Sequence, residues 1–237
     1  DEINKIAKKF NLKIIEDCAQ SQGSKYKNKY VGNFGNFGCF SFYPTKILGA
    51  YGDGGFILTN SFKEYQKIKR IRYYGIETVN HKNKFINKYY SNENGINSRI
   101  DEIQCSILNL KLKNVDFYIN RRRQLVKVYL KELAQTNLKL PLENNNSYHV
   151  YHLFTLFHPK SKEIIKKLKQ KGVETRVIYP YPIHKMKAYK NIKFKKNILK
   201  NSEIKSKNIF CLPLYPELKE SEIKFVCKNL KEILKII

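Results

Sequence analysis

The chain has 237 residues, 42% of them hydrophobic, which is enough to bury a sizeable core. It has no run of eighteen apolar residues and no charged-then-apolar leader, which argues against a membrane span and a secretory signal. The formal net charge is +26, but the excess is almost all lysine spread along the chain. This favours a solvated lysine-rich surface over the basic stripe of a nucleic-acid-binding protein.

The first half of the chain shows the signals of an α/β protein. Apolar spacing predicts a helix within Asp1–Phe10, and the next apolar run predicts a strand from Leu12 to Glu16 that ends at the carboxylate of Asp17. The elements predicted after it are a turn region at Lys29–Gly35, strands at Gly38–Phe42 and Gly55–Thr59, and a helix at Phe62–Tyr73. Residues 75–95 are polar and predict a long exposed loop that could reach a partner subunit.

The second half begins with a long periodic stretch, Ile100–Leu133, whose break near Asn114–Phe117 predicts two helices or one kinked helix. A turn-rich segment follows and indicates a domain boundary, which we place between residues 137 and 138. The smaller domain at 138–237 is predicted to contain strands at Tyr151–Phe157 and Val173–Ile178 and a helix at Lys162–Lys171. The segment Cys211–Leu214 and a last helix at Ser221–Ile236 complete it.

The five cysteines are scattered without CxxC or Cys/His spacing, which argues against a zinc site and against a disulfide framework. Thiols of this kind are typical of a reducing compartment, where they pack as small apolar residues. We therefore expect a cytoplasmic protein with no bound metal. The five are Cys18, Cys39, Cys105, Cys211 and Cys227.

The sequence around Lys46 is typical of a reactive lysine rather than a surface lysine. A short apolar strand precedes it, Pro44 stops that strand, and the glycine-rich run Gly52–Gly55 follows and permits close approach of another molecule. An amine whose charge is suppressed there is a nucleophile for carbonyls. The setting therefore indicates Schiff-base chemistry, although a lone lysine is ordinarily a solvated surface residue.

Asp17 is the natural partner of such a lysine, because ligands bind at the carboxyl ends of strands in α/β proteins. A carboxylate that holds a pyridinium nitrogen and a lysine that forms a Schiff base are two parts of a pyridoxal 5′-phosphate (PLP) site. Each residue also has a structural alternative. Asp17 could cap a helix, Ser41 could be the polar face of its strand, and Gly52–Gly55 could be a hairpin turn.

Taken together, the motifs resemble the DegT/DnrJ/EryC1/StrS family of sugar aminotransferases, and the resemblance covers nearly the whole chain. The motifs that carry it are Ile15–Gln20, Val31–Gly35, Cys39–Phe42, Pro44–Lys46, Gly52–Asn60, Gly95–Gln104 and Tyr179–His184. The implied fold is that of a fold-type I PLP aminotransferase, here the C-terminal part of the large mixed-sheet domain plus a smaller α+β domain. The family also implies a homodimer with shared active sites.

The resemblance implies a role for each matching residue. Lys46 would form the Schiff base and shuttle protons, Asp17 would hold the ring nitrogen, and Gln20 would lie against the ring or its phenolic oxygen. Ser41 would bind the cofactor phosphate, and Asn97 would reach the phosphate of the neighbouring subunit's cofactor. Tyr179 and His184 match a segment near the substrate.

The implied reaction moves an amine, usually from glutamate, to a nucleotide-linked keto sugar for surface polysaccharide synthesis. With Gln20 rather than His, the chain resembles members that act on 3-keto sugars more than those that act on 4-keto sugars, which implies a 3-keto-6-deoxyhexose as substrate. The sequence departs from the family pattern at two places. Ser21-Gln22 stands where many relatives have Ala-His, and Asp53 stands where Glu is more frequent. Two other function classes stay open, namely a catalytically inactive PLP-binding remnant or regulator and a basic nucleic-acid-binding protein.

The chain begins in what the family would place in mid-domain. The part that would precede it usually supplies backbone amides to the cofactor phosphate and an aromatic ring against the pyridine. We therefore expect a partial sequence that binds cofactor poorly by itself and whose exposed sheet edge favours aggregation.

Overall fold

The computed structural model describes residues 1–77, 89–192 and 198–237. It forms two compact units, Asp1–Asp116 with Asn145–His149, and Phe117–Asn144 with Val150–Ile237. The predicted domain division between residues 137 and 138 stays a prediction, because compactness is not the same criterion as independent folding.

The first unit contains a three-stranded mixed sheet in the order β1–β4–β5. Strand β1 pairs in parallel with β4, and β4 pairs antiparallel with β5. Aromatic side chains reinforce the second pair, since the ring of Phe56 stacks on Phe40 at 4.6 Å and on Phe42 at 5.4 Å between centroids. The strands of this unit are β1 (Ile15–Asp17), β2 (Lys25–Tyr26), β3 (Lys29–Tyr30), β4 (Phe37–Ser41), β5 (Gly55–Leu58) and β6 (Ser147–Tyr148).

A second, small antiparallel sheet has the order β3–β2–β6. Its hairpin turns at Lys27 (φ 49°) and Asn28 (φ 63°), and positive φ at both central positions is typical of a type I′ turn. The prediction of a turn region at Lys29–Gly35 is therefore wrong for Lys29 and Tyr30, which pair with β2. The positive-φ signal lies on non-glycine residues, which made the hairpin hard to recognise from the sequence.

Among the residues that the structure describes, three helices complete the first unit. The second of them begins after Ser61, whose hydroxyl accepts a hydrogen bond from the N–H of Glu64 at 3.3 Å and so caps the helix. The buried apolar residues of this unit include Cys18, Ile47, Ala50 and Leu108. The helices are α1 (Glu2–Lys9), α2 (Phe62–Ile71) and α3 (Glu102–Leu112).

The second unit packs helices against a two-stranded sheet. The core surrounds Tyr129, whose ring stacks on Phe154 at 4.7 Å and whose hydroxyl donates to the carbonyl of Pro213 at 2.9 Å. Helix α5 ends before Gly172, which has φ +76° and supplies the left-handed residue that stops the helix. The elements are α4 (Val115–Leu133), β7 (Phe154–Phe157), α5 (Ser161–Gln170), α6 (Lys200–Asn208), β8 (Ile209–Leu212) and α7 (Glu220–Ile236).

Most predicted elements are confirmed, including the break between α3 and α4 at residues 113–114. The strand predicted at Val173–Ile178 is wrong, because only Arg176 pairs there, in a single bridge to Cys211 of β8. Most of the loop predicted at 75–95 lies outside the described residues. No helix of the described ranges is long and apolar enough to cross a membrane.

Candidate active site

The carboxyl ends of β1 and β4 lie side by side. Because these strands are parallel with Asp17 opposite Cys39, Asp17 and Ser41 both end strands at the same edge of the sheet. The Asp17 carboxylate is exposed and accepts a hydrogen bond from the N–H of Ala19 at 3.1 Å. The Ser41 hydroxyl accepts one from the N–H of Tyr43 at 3.2 Å. Its own proton is left to donate to a ligand at this edge.

Lys46 lies in the loop that leaves β4 at the same edge. Its N–H donates to the carbonyl of Tyr43 at 2.9 Å, and its side chain is half-buried. The loop is closed by the N–H of Ala50, which donates to the carbonyl of Phe42 at 2.7 Å. Gly49 is necessary here, because a Cβ at this position would lie 2.5 Å from the carbonyl oxygen of Pro44. The sheet and loop thus bring Asp17, Ser41 and Lys46 to one edge.

A buried side chain that the sequence did not indicate as part of the site holds the lysine loop. Gln22 is 6% exposed and donates from Nε2 to the carbonyls of Ser41 at 2.6 Å and Leu48 at 3.1 Å. Its Oε1 accepts from the N–H of Leu48 at 3.4 Å. The sequence offered one signal, the replacement of a common His by Gln, and gave no reason for it.

Helix α3 holds the end of the same loop. The Oε1 atom of Gln104 accepts from the N–H of Tyr51 at 2.8 Å, and Nζ of Lys111 donates to the carbonyl of Gly49 at 2.6 Å. The Lys111 ammonium also lies 4.7 Å from the ring centroid of Tyr51. Two long polar side chains seven residues apart share a helix face, and this spacing could have indicated a polar contact of α3.

Glu16 fixes the segment that precedes β4. Its two carboxylate oxygens accept hydrogen bonds from the N–H groups of Gly32, Phe34 and Gly35, each at 2.7 Å.

Cys18 follows Glu16 by two positions. Burial raises the pKa of its thiol, so this cysteine stays protonated and packs as an apolar residue.

The two remaining predicted residues of the first unit lie at its surface or near it. Gln20 is half-buried in the turn after β1. Asn97 is exposed, pairs by a single bridge with Tyr73, and accepts a hydrogen bond from Nε of Arg99 at 3.1 Å. The roles assigned to both residues stay predictions.

Tyr179 and His184 belong to the second unit, and their predicted substrate contacts stay predictions as well. Tyr179 is 65% exposed. His184 lies in a 3₁₀ turn, with its Nε2 atom 3.0 Å from Oε1 of Glu203 on α6. Lys185 contacts the same carboxylate oxygen at 3.2 Å. Hydrogen bonds from His184 and Lys185 lower the pKa of Glu203 from its ordinary value.

The sequence profile of the DegT/DnrJ/EryC1/StrS aminotransferase family matches residues 1–231. This chain belongs to that family. The predicted fold class is confirmed by DesV of S. venezuelae, solved in complex with a ketimine intermediate, which superposes with a TM-score of 0.91 at 30% identity over 99% of this chain and 61% of that one.

Curated relatives of the family align along almost the whole chain. A dTDP-3-amino-3,4,6-trideoxy-alpha-D-glucose transaminase of Micromonospora megalomicea subsp. nigra is 34% identical over 98% of this chain and 61% of its own length. A pleiotropic regulatory protein of Geobacillus stearothermophilus is 38% identical over 96% of this chain and 59% of its own length. The chain thus spans about three fifths of these DegT/DnrJ/EryC1/StrS relatives.

Proposed function

We propose that this chain forms part of a PLP-dependent aminotransferase acting on a nucleotide-linked keto sugar. The observation that carries the proposal is the shared edge of β1 and β4, where Asp17, Ser41 and Lys46 lie in a chain that matches an aminotransferase family over residues 1–231. A carboxylate, a hydroxyl and an amine are the three groups that a pyridinium nitrogen, a phosphate and an aldehyde require.

The donor set fits PLP in its local chemistry. Asp17 is exposed, and its carboxylate accepts a hydrogen bond from the N–H of Ala19. The Ser41 hydroxyl oxygen accepts from the N–H of Tyr43, so its proton is available to donate to a phosphate. Asp17 would hold the ring nitrogen, Ser41 would donate to the phosphate, and Lys46 would bind the aldehyde carbon. When bound, PLP supplies an electron sink for the substrate carbanion.

The residues of the chain supply the proton transfers and the orientation. The negative charge of Asp17 favours a protonated ring nitrogen. The Lys46 amine would take the proton from the α-carbon of the amino donor and hold it on Nζ for delivery at the end of the transfer. The fixed loop around Lys46 limits the positions from which that proton can move.

For the substrate, we propose a 3-keto-6-deoxyhexose linked to a nucleotide, with glutamate as amino donor. Gln20 supports this choice by its resemblance to members that act on 3-keto sugars, and the relative from Micromonospora megalomicea carries the name of a 3-amino sugar transaminase. We further propose a homodimer in which Asn97 contacts the cofactor phosphate of the partner subunit. A 4-keto sugar is the alternative substrate.

The test uses the product of the complete gene, incubated with PLP and reduced with borohydride. We expect mass spectrometry to find PLP attached to Lys46 and the reaction with glutamate and a dTDP-linked 3-keto-6-deoxyhexose to yield the amino sugar. Lys46→Ala should abolish the attachment and lower kcat by about 10³-fold. Lys63→Ala, an exposed lysine of α2, is the matched control and should leave both unchanged.

A regulatory remnant is the second candidate, and the name of the Geobacillus stearothermophilus relative favours it. Attachment of PLP to Lys46 without amine transfer to any 3-keto or 4-keto sugar would support this candidate. Attachment of PLP to a lysine other than Lys46 would contradict the proposed site.

A further inference from the structure

The contacts of Gln22 join the two sides of the lysine loop. One buried amide binds Ser41, five positions before Lys46, and Leu48, two positions after it. Both protons of its NH₂ group and its oxygen are engaged, so each polar atom of this side chain has a partner at 6% exposure. A buried amide in this state resists movement, because displacement of any contact leaves polar groups without partners.

The loop between these two points has little regular structure of its own. Residues 42–50 form turns after β4 and depend on the pair of Phe42 with Ala50 and on the close approach of Gly49 to Pro44. Gln22 is the side chain that ties the strand end to the far side of the turn containing Lys46. The path of the backbone at Lys46 therefore depends on this amide.

Loss of Gln22 should loosen the loop without unfolding the unit. Helix α3 holds the end of the loop independently, through Gln104 to Tyr51 and Lys111 to Gly49. Glu16 fixes the segment before β4 through separate contacts. The effect of changing Gln22 is thus expected at Lys46 rather than across the sheet.

We propose that Gln22 is a positioning residue for Lys46, which sets the direction of the lysine amine by joining Ser41 to Leu48. This inference rests on the proposed function. A histidine at position 22 has at most one N–H donor and one acceptor when neutral, so it can keep only part of the contacts of Gln22. Glutamate has the same shape, but its oxygens would face the carbonyls of Ser41 and Leu48 and repel them.

The experiment compares Gln22→Met, Gln22→His and Gln22→Glu with the wild-type full-length protein. Methionine has nearly the length and volume of glutamine but makes no such hydrogen bonds. Hydrogen exchange of the protein without cofactor should be faster at residues 42–50 in Gln22→Met and unchanged in α7. With PLP bound, kcat should fall about 10- to 100-fold with little change in the KM for glutamate.

The variants separate positioning from general stability. Gln22→His should recover part of kcat and of the exchange protection, whereas Gln22→Glu should lose at least as much as Gln22→Met. Gln66→Met, an exposed residue of α2, is the matched control and should behave as wild type. If Gln22→Met fails to fold, the inference is judged on Gln22→His, which should show intermediate exchange and an intermediate kcat.

Two results would overturn the inference, and they differ from each other. A wild-type protein that transfers the amine while Gln22→Met keeps its kcat and its loop exchange contradicts the role of Gln22 alone. A wild-type protein that binds no PLP contradicts the proposed function, and the positioning role is then lost with it.

Discussion

The Glu16 carboxylate is the most heavily hydrogen-bonded acidic group described in the first unit. It accepts three backbone N–H groups from Gly32, Phe34 and Gly35, all at 2.7 Å, and it stands one position before Asp17. Hydrogen bonds to an ionised acceptor are shorter and stronger than neutral ones. Adjacent carboxylates in the same strand thus have different tasks, since Glu16 shapes the backbone and Asp17 stays exposed for a ligand.

Glu16→Gln should lower the free energy of unfolding by about 2 kcal/mol, because the new NH₂ group faces a backbone donor instead of accepting from it. Urea unfolding followed by circular dichroism measures the change. Glu2→Gln is the control, since its contact with Lys5 is an exposed ion pair and its loss should cost less than about 1 kcal/mol. Equal effects of the two substitutions would contradict the role of Glu16.

The sequence was sufficient to predict where Lys46, Asp17 and Ser41 lie, because each ends a strand or follows one, and strand ends can be recognised from apolar runs. It was insufficient for Gln22, because its partners Ser41 and Leu48 are distant in the chain and are brought to it only by the parallel pairing of β1 with β4. Every residue has a backbone carbonyl, so the residue types at Ser41 and Leu48 do not indicate that their carbonyls accept a hydrogen bond from a side chain.

At the level of elements, helices were predicted more successfully than strands. The break between α3 and α4 follows from local periodicity, which a single segment contains by itself. The predicted strand at Val173–Ile178 failed because a strand also needs a partner along its length. Strand β8 pairs fully with β7 and offers only Cys211 to Arg176 on its other side.

Helix α6 is tied to the neighbouring 3₁₀ turn by an ionisable contact. Because hydrogen bonds from His184 and Lys185 lower the pKa of Glu203 below its ordinary value of 4.5, the contact stabilises the folded unit fully above that value. The stabilisation is lost as the pH falls through the lowered pKa. Protonation of Glu203 should therefore loosen α6 only in acid.

We expect His184→Ala to raise the pKa of Glu203 towards its ordinary value, because the hydrogen bond from His184 contributes most to lowering that pKa. An NMR titration of the glutamate carboxyl carbons measures this directly. Glu132, whose pKa is lowered by Lys231 on α7, is the internal control and should not move. An unchanged pKa of Glu203 would show that Lys185 alone holds the carboxylate.

At the level of the whole molecule, charge is the dominant property. The sequence has 46 basic and 20 acidic residues, so ion pairs can neutralise fewer than half of the cations. Unpaired like charges repel each other in the compact state and oppose folding. A positive surface of this kind would also attract the pyrophosphate of a nucleotide sugar from solution, which agrees with the proposed substrate class.

Added salt should therefore stabilise this protein. Between about 0.01 M and about 1 M ionic strength the Debye length falls from about 30 Å to about 3 Å, so repulsion among the lysines is screened. The melting temperature should rise by about 3 °C for each kcal/mol of repulsion removed. Chloride and sulfate salts compared at equal ionic strength separate screening from the salting-out effect of sulfate.

A melting temperature that falls with sodium chloride would mean that attractive ion pairs outweigh the repulsion. DNA retention that persists at physiological salt would instead favour a nucleic-acid-binding role for the same charge.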